Sequence, residues 1–95
     1  MRKLQVPVHP GEILKAEFLD PLGLSAGKLA RHIHVPRTRI ERLVSEETSV
    51  TVDTAKRLSK AFRTTAEFWM TLQVNYDLLT SGPDDSQITP LIAAE

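Results

Sequence analysis

The apolar residues of this 95-residue chain recur at helical spacing in five segments, with polar, Pro or Gly residues between them. The clearest pattern lies in residues 24–45, where the apolar positions follow helical spacing on both sides of a break at residues 34–36. These positions are Leu29, Ala30, Ile33, Val35, Ile40 and Leu43. They predict a helix, a turn of at most three residues and a second helix, which is the arrangement of a DNA-binding helix-turn-helix.

Residues typical of helix ends set the expected boundaries. Pro10 suits the opening turn of a first helix, which should stop near Leu19 because Asp20 precedes Pro21. Ser25 and Thr51 are favourable N-caps, and a further cap is expected at Thr64 or Thr65. The predicted helices therefore span residues 10–19, 25–33, 36–45, 51–62 and 64–79.

The fold class that follows is all-α, with five helices. A chain of this length suits one small domain, which buries only roughly 60 to 65% of its unfolded surface. We assign residues 1–80 to a helix-turn-helix DNA-binding domain, with the motif at residues 25–45. Residues 81–95 are expected to form a C-terminal tail, either as a short strand over residues 88–94 or as a mobile segment.

The fifth predicted helix has apolar residues on two sides. Phe68, Leu72 and Leu79 share one face, which we expect to point inward. A second stripe lies well around the cylinder and consists of Met70, Val74 and Leu78. Because a small domain can cover only one face, this stripe is predicted to be the interface of a two-fold homodimer.

The formal net charge is zero, but the charges are unevenly distributed. Residues 25–45 contain five basic side chains and one acidic side chain, whereas residues 64–95 contain five acidic side chains and no Lys or Arg. A basic stripe on a balanced domain is typical of a surface that binds phosphates.

The predicted third helix presents one side to DNA. If Ile40 points inward together with Pro36, Leu43 and Val44, the opposite side carries a polar and basic set. With candidates from the start of the second helix, the predicted DNA-binding residues are Ser25, Lys28, Arg37, Thr38, Arg39, Arg42 and Ser45. Arg42 and Thr38 are expected nearest to bases, and Ser25 and Lys28 nearest to phosphates.

Two observations weigh against this interpretation. The arginines would form an ordinary solvated face if Arg37 paired with Glu41 and Arg42 with Glu46. In addition, His34 falls where such turns usually have glycine, because the backbone there tends to positive φ. His34 and the zero net charge support the alternative from another functional class, which is a module that binds only protein.

Other chemistry lacks a suitable set of residues. The chain has no Cys, so disulfides and thiolate metal sites are excluded and a reducing cytoplasm is expected. No segment is apolar enough to span a bilayer. His32 and His34 would point about 200° apart on a helix and so would not share a metal ion. No catalytic motif is present, and we expect neither an enzyme nor a cofactor. Phe68, Trp69 and Tyr76 fit a core or interface better than base stacking.

Several short motifs resemble the HigA family of bacterial antitoxins. They are VHPGEIL at residues 8–14, DPLGLS at 20–25, VPRTRI at 35–40 and TVDTAKRL at 51–58, followed by EFW at 67–69, LQ at 72–73 and YDL at 76–78. Together they cover residues 8–78. The family's helix-turn-helix maps onto residues 25–45, and His34 replaces the glycine of its turn.

This resemblance implies a lambda-repressor-like five-helix domain that forms a homodimer on a palindromic operator. It also implies binding to a HigB toxin, a RelE-like ribosome-dependent mRNA endoribonuclease, and repression of the operon shared with that toxin. A stand-alone repressor without a toxin shares every physical feature of this expectation and remains the nearest alternative.

Overall fold

The computed structural model describes residues 6–80 and 85–93, and these ranges contain five helices and no strand. The first helix, α1, begins at Pro10 and ends at Leu22. The other helices are α2 (Ala26–His32), α3 (Arg37–Val44), α4 (Val52–Phe62) and α5 (Ala66–Thr80). The expected all-α, five-helix fold is confirmed.

Helix α1 runs three residues past its predicted end at Leu19. Its first α-helical turn, Pro10–Ile13, passes into a π-helical stretch, Leu14–Leu19, and returns to α-helix at Asp20–Leu22. The N–H of Asp20 donates to the carbonyl of Lys15, five residues back. This wider turn replaces the tighter α-helical turn in which the ring of Pro21 would clash with a carbonyl, so proline does not end the helix.

Four of the helices end on a residue in the left-handed conformation. These residues are Gly23, His34, Glu46 and Arg63, with φ between 57° and 65°. After each one, the next N–H donates to a carbonyl five residues back, as Val35 does to Ala30 at 3.0 Å. The positive φ expected at His34 is confirmed. A residue other than glycine in this conformation carries about 1–2 kcal/mol of strain.

The core lies in the interior of the domain, on the side of α3 that faces the other helices. Its fully buried large side chains include Leu14, Leu29, Ile40, Leu43, Leu58 and Trp69. The Trp69 ring lies 5.3 Å from that of Phe18 between centroids, and its Nε1 donates to Thr64 Oγ1 at 2.8 Å. The indole is therefore both packed and hydrogen-bonded, as a buried tryptophan requires.

The inward face of α5 differs from the prediction. Phe68 and Leu79 are exposed and Leu72 is half-buried, whereas Trp69 and Gln73 are buried. Gln73 is tolerated in the core because its Oε1 accepts from the N–H of Val50 at 2.7 Å, while its Nε2 donates to Asp77 at 3.0 Å. An apolar pattern does not reveal a buried amide whose partner lies elsewhere in the fold.

The structure defines where α5 begins and ends. Thr65 is the N-cap, since its Oγ1 accepts from the N–H of Phe68 at 3.0 Å. The helix ends at Thr80. Residues 85–93 form turns and bends, and the rest of the tail assigned to 81–95 lies outside the described residues. No helix in the described ranges is long and apolar enough to cross a membrane.

Candidate nucleic-acid interface

Side-chain hydrogen bonds hold both ends of α2, and the second of them also holds the turn that leads to α3. Ser25 caps α2 by accepting from the N–H of Lys28 at 3.1 Å. At the other end, the carbonyl of Ile33 accepts from Arg57 Nη1 of α4 at 2.8 Å. Pro36 is the extended N-cap of α3. A side chain of α4 thus fixes the turn that sets the direction of α3.

Helix α3 is anchored from one side only. Ile40 and Leu43 are completely buried, as predicted, whereas Pro36 is exposed at the cap and does not belong to the anchoring face. Behind α3, the backbone of α1 comes very close, because a Cβ built on Gly11 would lie 1.8 Å from the carbonyl oxygen of Leu43. Glycine is required at residue 11 for this approach.

The opposite side of α3 forms an exposed crest, which we define by Thr38 and Arg42. These two side chains line both of the shallow clefts that flank α3. On one side the cleft continues to Thr48, Ser49, Thr51 and Asp53, and on the other to Ala26, Ser45 and Glu47. The two residues expected nearest to bases therefore lie together on the exposed side of α3, between the two clefts.

A second group lies where α2 and α3 begin. Ser25, Lys28 and Arg37 line one further cleft, and all three are exposed. The stem of Arg37 lies against Gly27, where a Cβ would stand 3.0 Å from Arg37 Cδ. The structure thus brings the predicted phosphate-binding residues next to an arginine of the third helix.

The expected surface ion pairs form only in part. Arg37 Nε lies 3.2 Å from a carboxylate oxygen of Glu41, but both side chains are largely exposed. Such a pair contributes only about 0.3–0.5 kcal/mol. No Arg42–Glu46 pair occurs among the described residues. The Glu46 carboxylate therefore does not neutralise the Arg42 guanidinium.

Arg39 has a different environment from the other arginines of α3. Its Nη1 lies 2.5 Å from Oδ2 of Asp53 at the start of α4, and Arg57 Nε donates to both oxygens of the same carboxylate, at 3.0 and 3.2 Å. Hydrogen bonds from Arg39, and then from Arg57, hold the pKa of the Asp53 carboxyl below its ordinary value. Asp53 consequently stays ionised and bound to two guanidinium groups.

The sequence did not point to Asp53 or to the hydroxyls of the loop after α3. Thr48, Ser49 and Thr51 line the same cleft as Thr38 and Arg42. The three hydroxyl residues within positions 48–51 are a signal for them, since hydroxyls and backbone N–H groups commonly contact phosphates. The partnership of Asp53 with Arg39 has no local sequence signal.

The residues predicted for a dimer interface are not equally accessible. Val74 is 51% exposed and Leu78 is 76% exposed, whereas Met70 is half-buried against the core. Val74 and Leu78 thus form the exposed part of the stripe. The described residues contain no group of His, Asp and Glu side chains able to hold a metal ion.

Residues 14–69 match the helix-turn-helix family, and the chain belongs to it. Among curated proteins, it is 44% identical to virulence-associated protein I of Dichelobacter nodosus over 85 residues, which cover 90% of this chain and 79% of that protein. These matches define the class of protein as a helix-turn-helix regulator.

Solved structures narrow this class. The antitoxin HigA of Pseudomonas aeruginosa, solved with the higBA promoter, is 38% identical with a TM-score of 0.84, covering 92% of this chain and all of that one. Antitoxin GraA in complex with its operator is 36% identical with a TM-score of 0.85, covering 98% and 99%. The chain is a member of the HigA family of antitoxins, so the family and lambda-repressor-like fold expected from the motifs are confirmed.

Proposed function

We propose that this protein is an antitoxin that represses its own operon by placing α3 in the major groove of operator DNA. The carrying observation is the crest of Thr38 and Arg42, which projects from a helix anchored by fully buried Ile40 and Leu43. The HigA and GraA relatives, which were solved with promoter and operator DNA, support the same role.

The crest has the chemistry needed to read bases. A guanidinium such as that of Arg42 can bond guanine O6 and N7 together, which discriminates by about 1–3 kcal/mol, and Thr38 can contact a thymine methyl. We assign phosphate contacts to Ser25, Lys28 and Arg37, which line one cleft at the start of α2 and α3, and to Ser45, which lines a cleft with the crest. The backbone N–H groups at the start of α2 favour the same anions.

We propose that two copies bind one operator, with Val74 and Leu78 of each copy at the interface and Met70 beneath them. Exposing large apolar side chains to water is unfavourable, and covering them with a second copy lowers the free energy. A two-fold dimer would place two α3 helices at half-sites about 34–36 Å apart.

The second proposed partner is a HigB toxin, a RelE-like mRNA endoribonuclease. The acidic C-terminal third suits such a partner, because a protein that binds RNA presents basic surface. Both partners place the protein in the cytoplasm. A stand-alone repressor differs only in lacking the toxin, so co-purification with the product of the adjacent gene separates the two.

The DNA-binding proposal is tested with duplex DNA from the protein's own promoter. We expect retarded complexes in a gel-shift titration and a log–log salt slope near −0.9 for each neutralised phosphate. The double variant Arg37→Ala with Arg42→Ala should lose this binding while remaining folded. Unchanged binding by the double variant would show that α3 does not enter the groove. Absence of any wild-type binding at low salt would favour the protein-interaction module.

A further inference from the structure

Arg39 lies on the flank of the crest, but its guanidinium is paired with a carboxylate of the same protein. It lines the same cleft as Thr38 and Arg42, and its side chain is 41% exposed. Among the described residues, its hydrogen-bond and ion-pair partner is Asp53. This guanidinium is therefore near the surface assigned to DNA while its charge is compensated within the domain.

The position of Asp53 is itself fixed by a second arginine. Arg57 binds both carboxylate oxygens through Nε and the carbonyl of Ile33 through Nη1. The carboxylate is consequently tied to the end of α2 as well as to its own helix. It offers Arg39 a fixed partner rather than a flexible one, so less side-chain entropy is lost when the pair forms.

This arrangement places a negative charge in a cleft otherwise suited to phosphate. Asp53 lies beside Thr38, Arg42, Ser49 and Thr51 in that cleft. Two arginines and one carboxylate together carry one net positive charge, whereas the arginines alone would carry two. A carboxylate near a phosphate backbone is repulsive, and a paired arginine releases fewer counterions from DNA than a free one.

We propose that Asp53 is a positioning residue. By binding Arg39, it keeps this side chain of α3 against α4 and so limits the affinity of the domain for DNA of any sequence. This inference rests on the proposed DNA-binding function and adds to it a limit on the sequence-independent contacts. Contacts to phosphate contribute to the affinity for every sequence, so their strength decides how much of the protein is bound at the many nonspecific sites of a genome.

The test is a salt titration of binding to duplex DNA of random sequence, followed by fluorescence anisotropy. Asp53→Asn keeps the shape of the side chain and removes its charge, so Arg39 becomes free to reach a phosphate. We expect several-fold tighter nonspecific binding and a log–log salt slope steeper by about 0.9, the increment for one added phosphate contact. Asp53→Glu, which keeps the charge, should restore the wild-type slope more closely than Asp53→Asn does.

A second background shows whether Arg39 carries the effect. In Arg39→Gln protein, adding Asp53→Asn should leave the slope unchanged. An equal steepening in that background, or no steepening in Asp53→Asn itself, would overturn the proposal. If Asp53→Asn does not fold, single variants decide the question. Arg39→Gln should leave the wild-type slope nearly unchanged, whereas Lys28→Gln, which removes an assigned phosphate contact, should make it shallower. Equal losses in the two variants would contradict the retention of Arg39.

The two proposals fail differently in this experiment. If wild-type protein binds neither promoter nor random DNA, the DNA-binding function itself is wrong. If the wild type binds its promoter and Asp53→Asn keeps the wild-type slope on random DNA, only the role of Asp53 is wrong.

Discussion

The outer faces of α3 and α5 are both exposed, but they differ in chemistry and therefore in what they need. The crest of α3 consists of Thr38 and Arg42, which water solvates well. The outer face of α5 carries Val74 and Leu78, which water does not. The face of α3 is therefore stable in water without a bound partner, whereas covering the face of α5 with another protein surface lowers the free energy.

The supports behind the two faces also differ. Helix α3 is held by Ile40, Leu43 and the close approach of Gly11, so its position depends on close packing against neighbouring elements. Helix α5 is held by Trp69 and by the buried amide of Gln73, so its position depends partly on hydrogen bonds. Substitutions at these places should separate the contributions of each face to folding, DNA binding and assembly.

The largest expected effect is on folding, through Gly11→Ala. The added methyl would lie 1.8 Å from the carbonyl oxygen of Leu43, so α1 and α3 must move apart. Overpacking costs about 1–3 kcal/mol and occasionally more, and the upper end is expected here because the obstacle is backbone. Urea unfolding followed by circular dichroism measures the loss. The exposed neighbour Glu12→Ala is the control, and equal midpoints for the two variants would show that α3 does not rest on α1.

The next effect is confined to the crest. Arg42→Gln should weaken binding to promoter DNA by about 5- to 150-fold, since one good arginine–base contact discriminates by about 1–3 kcal/mol. The variant should unfold like the wild type and keep its oligomeric state. Lys60→Gln removes the same charge from the exposed side of α4 and should change binding much less. Equal losses in a gel-shift titration would mean that only overall charge matters.

A further variant breaks the apolar face while leaving the crest intact. Val74→Glu places a charge in the proposed interface and should convert dimers to monomers, which light scattering detects. Promoter affinity should then fall about tenfold, because a single α3 occupies only one half-site. For the oligomeric state, Val52→Glu is a matched control, since this valine of α4 is similarly exposed at 56% and lies outside the proposed interface. A dimer that persists in Val74→Glu would place the interface elsewhere.

The smallest effect concerns the turn before α3. His34→Gly should stabilise the protein by about 0.5–1 kcal/mol, because glycine adopts the observed φ of 62° without strain, although it loses more backbone entropy on folding. His32→Gly, within α2, should instead destabilise by about 1 kcal/mol. The free energies of unfolding from urea titrations test the pair. A loss in both variants would indicate that the His34 side chain contributes contacts which outweigh the strain.

Much of the recognition unit could be predicted because its signals are local. Ser25 and Thr51 cap their helices as expected, and Ile40 and Leu43 fall on the buried side of α3. Each feature depends on spacing within one or two turns or on one residue next to a helix end. Patterns of this kind are encoded by neighbouring residues and can be read from them.

The same reasoning failed where a residue's environment is supplied by a distant segment. The inward face of α5 was misassigned because the partner of Gln73 is Val50, 23 residues away. The end of α1 was placed too early because Pro21 follows a π-helical turn, which the sequence rule for proline does not include.

The sequence by itself determined the five-helix content, the helix-turn-helix, the basic side of α3 and the family. Only the tertiary structure decided that Gly11 must meet Leu43, that Gln73 belongs in the core and that Asp53 holds Arg39, which is 14 residues away. The physical reason is the range of the interactions. Helical periodicity and capping act between near neighbours, whereas close packing and buried or bridging polar contacts exist only after distant segments have come together.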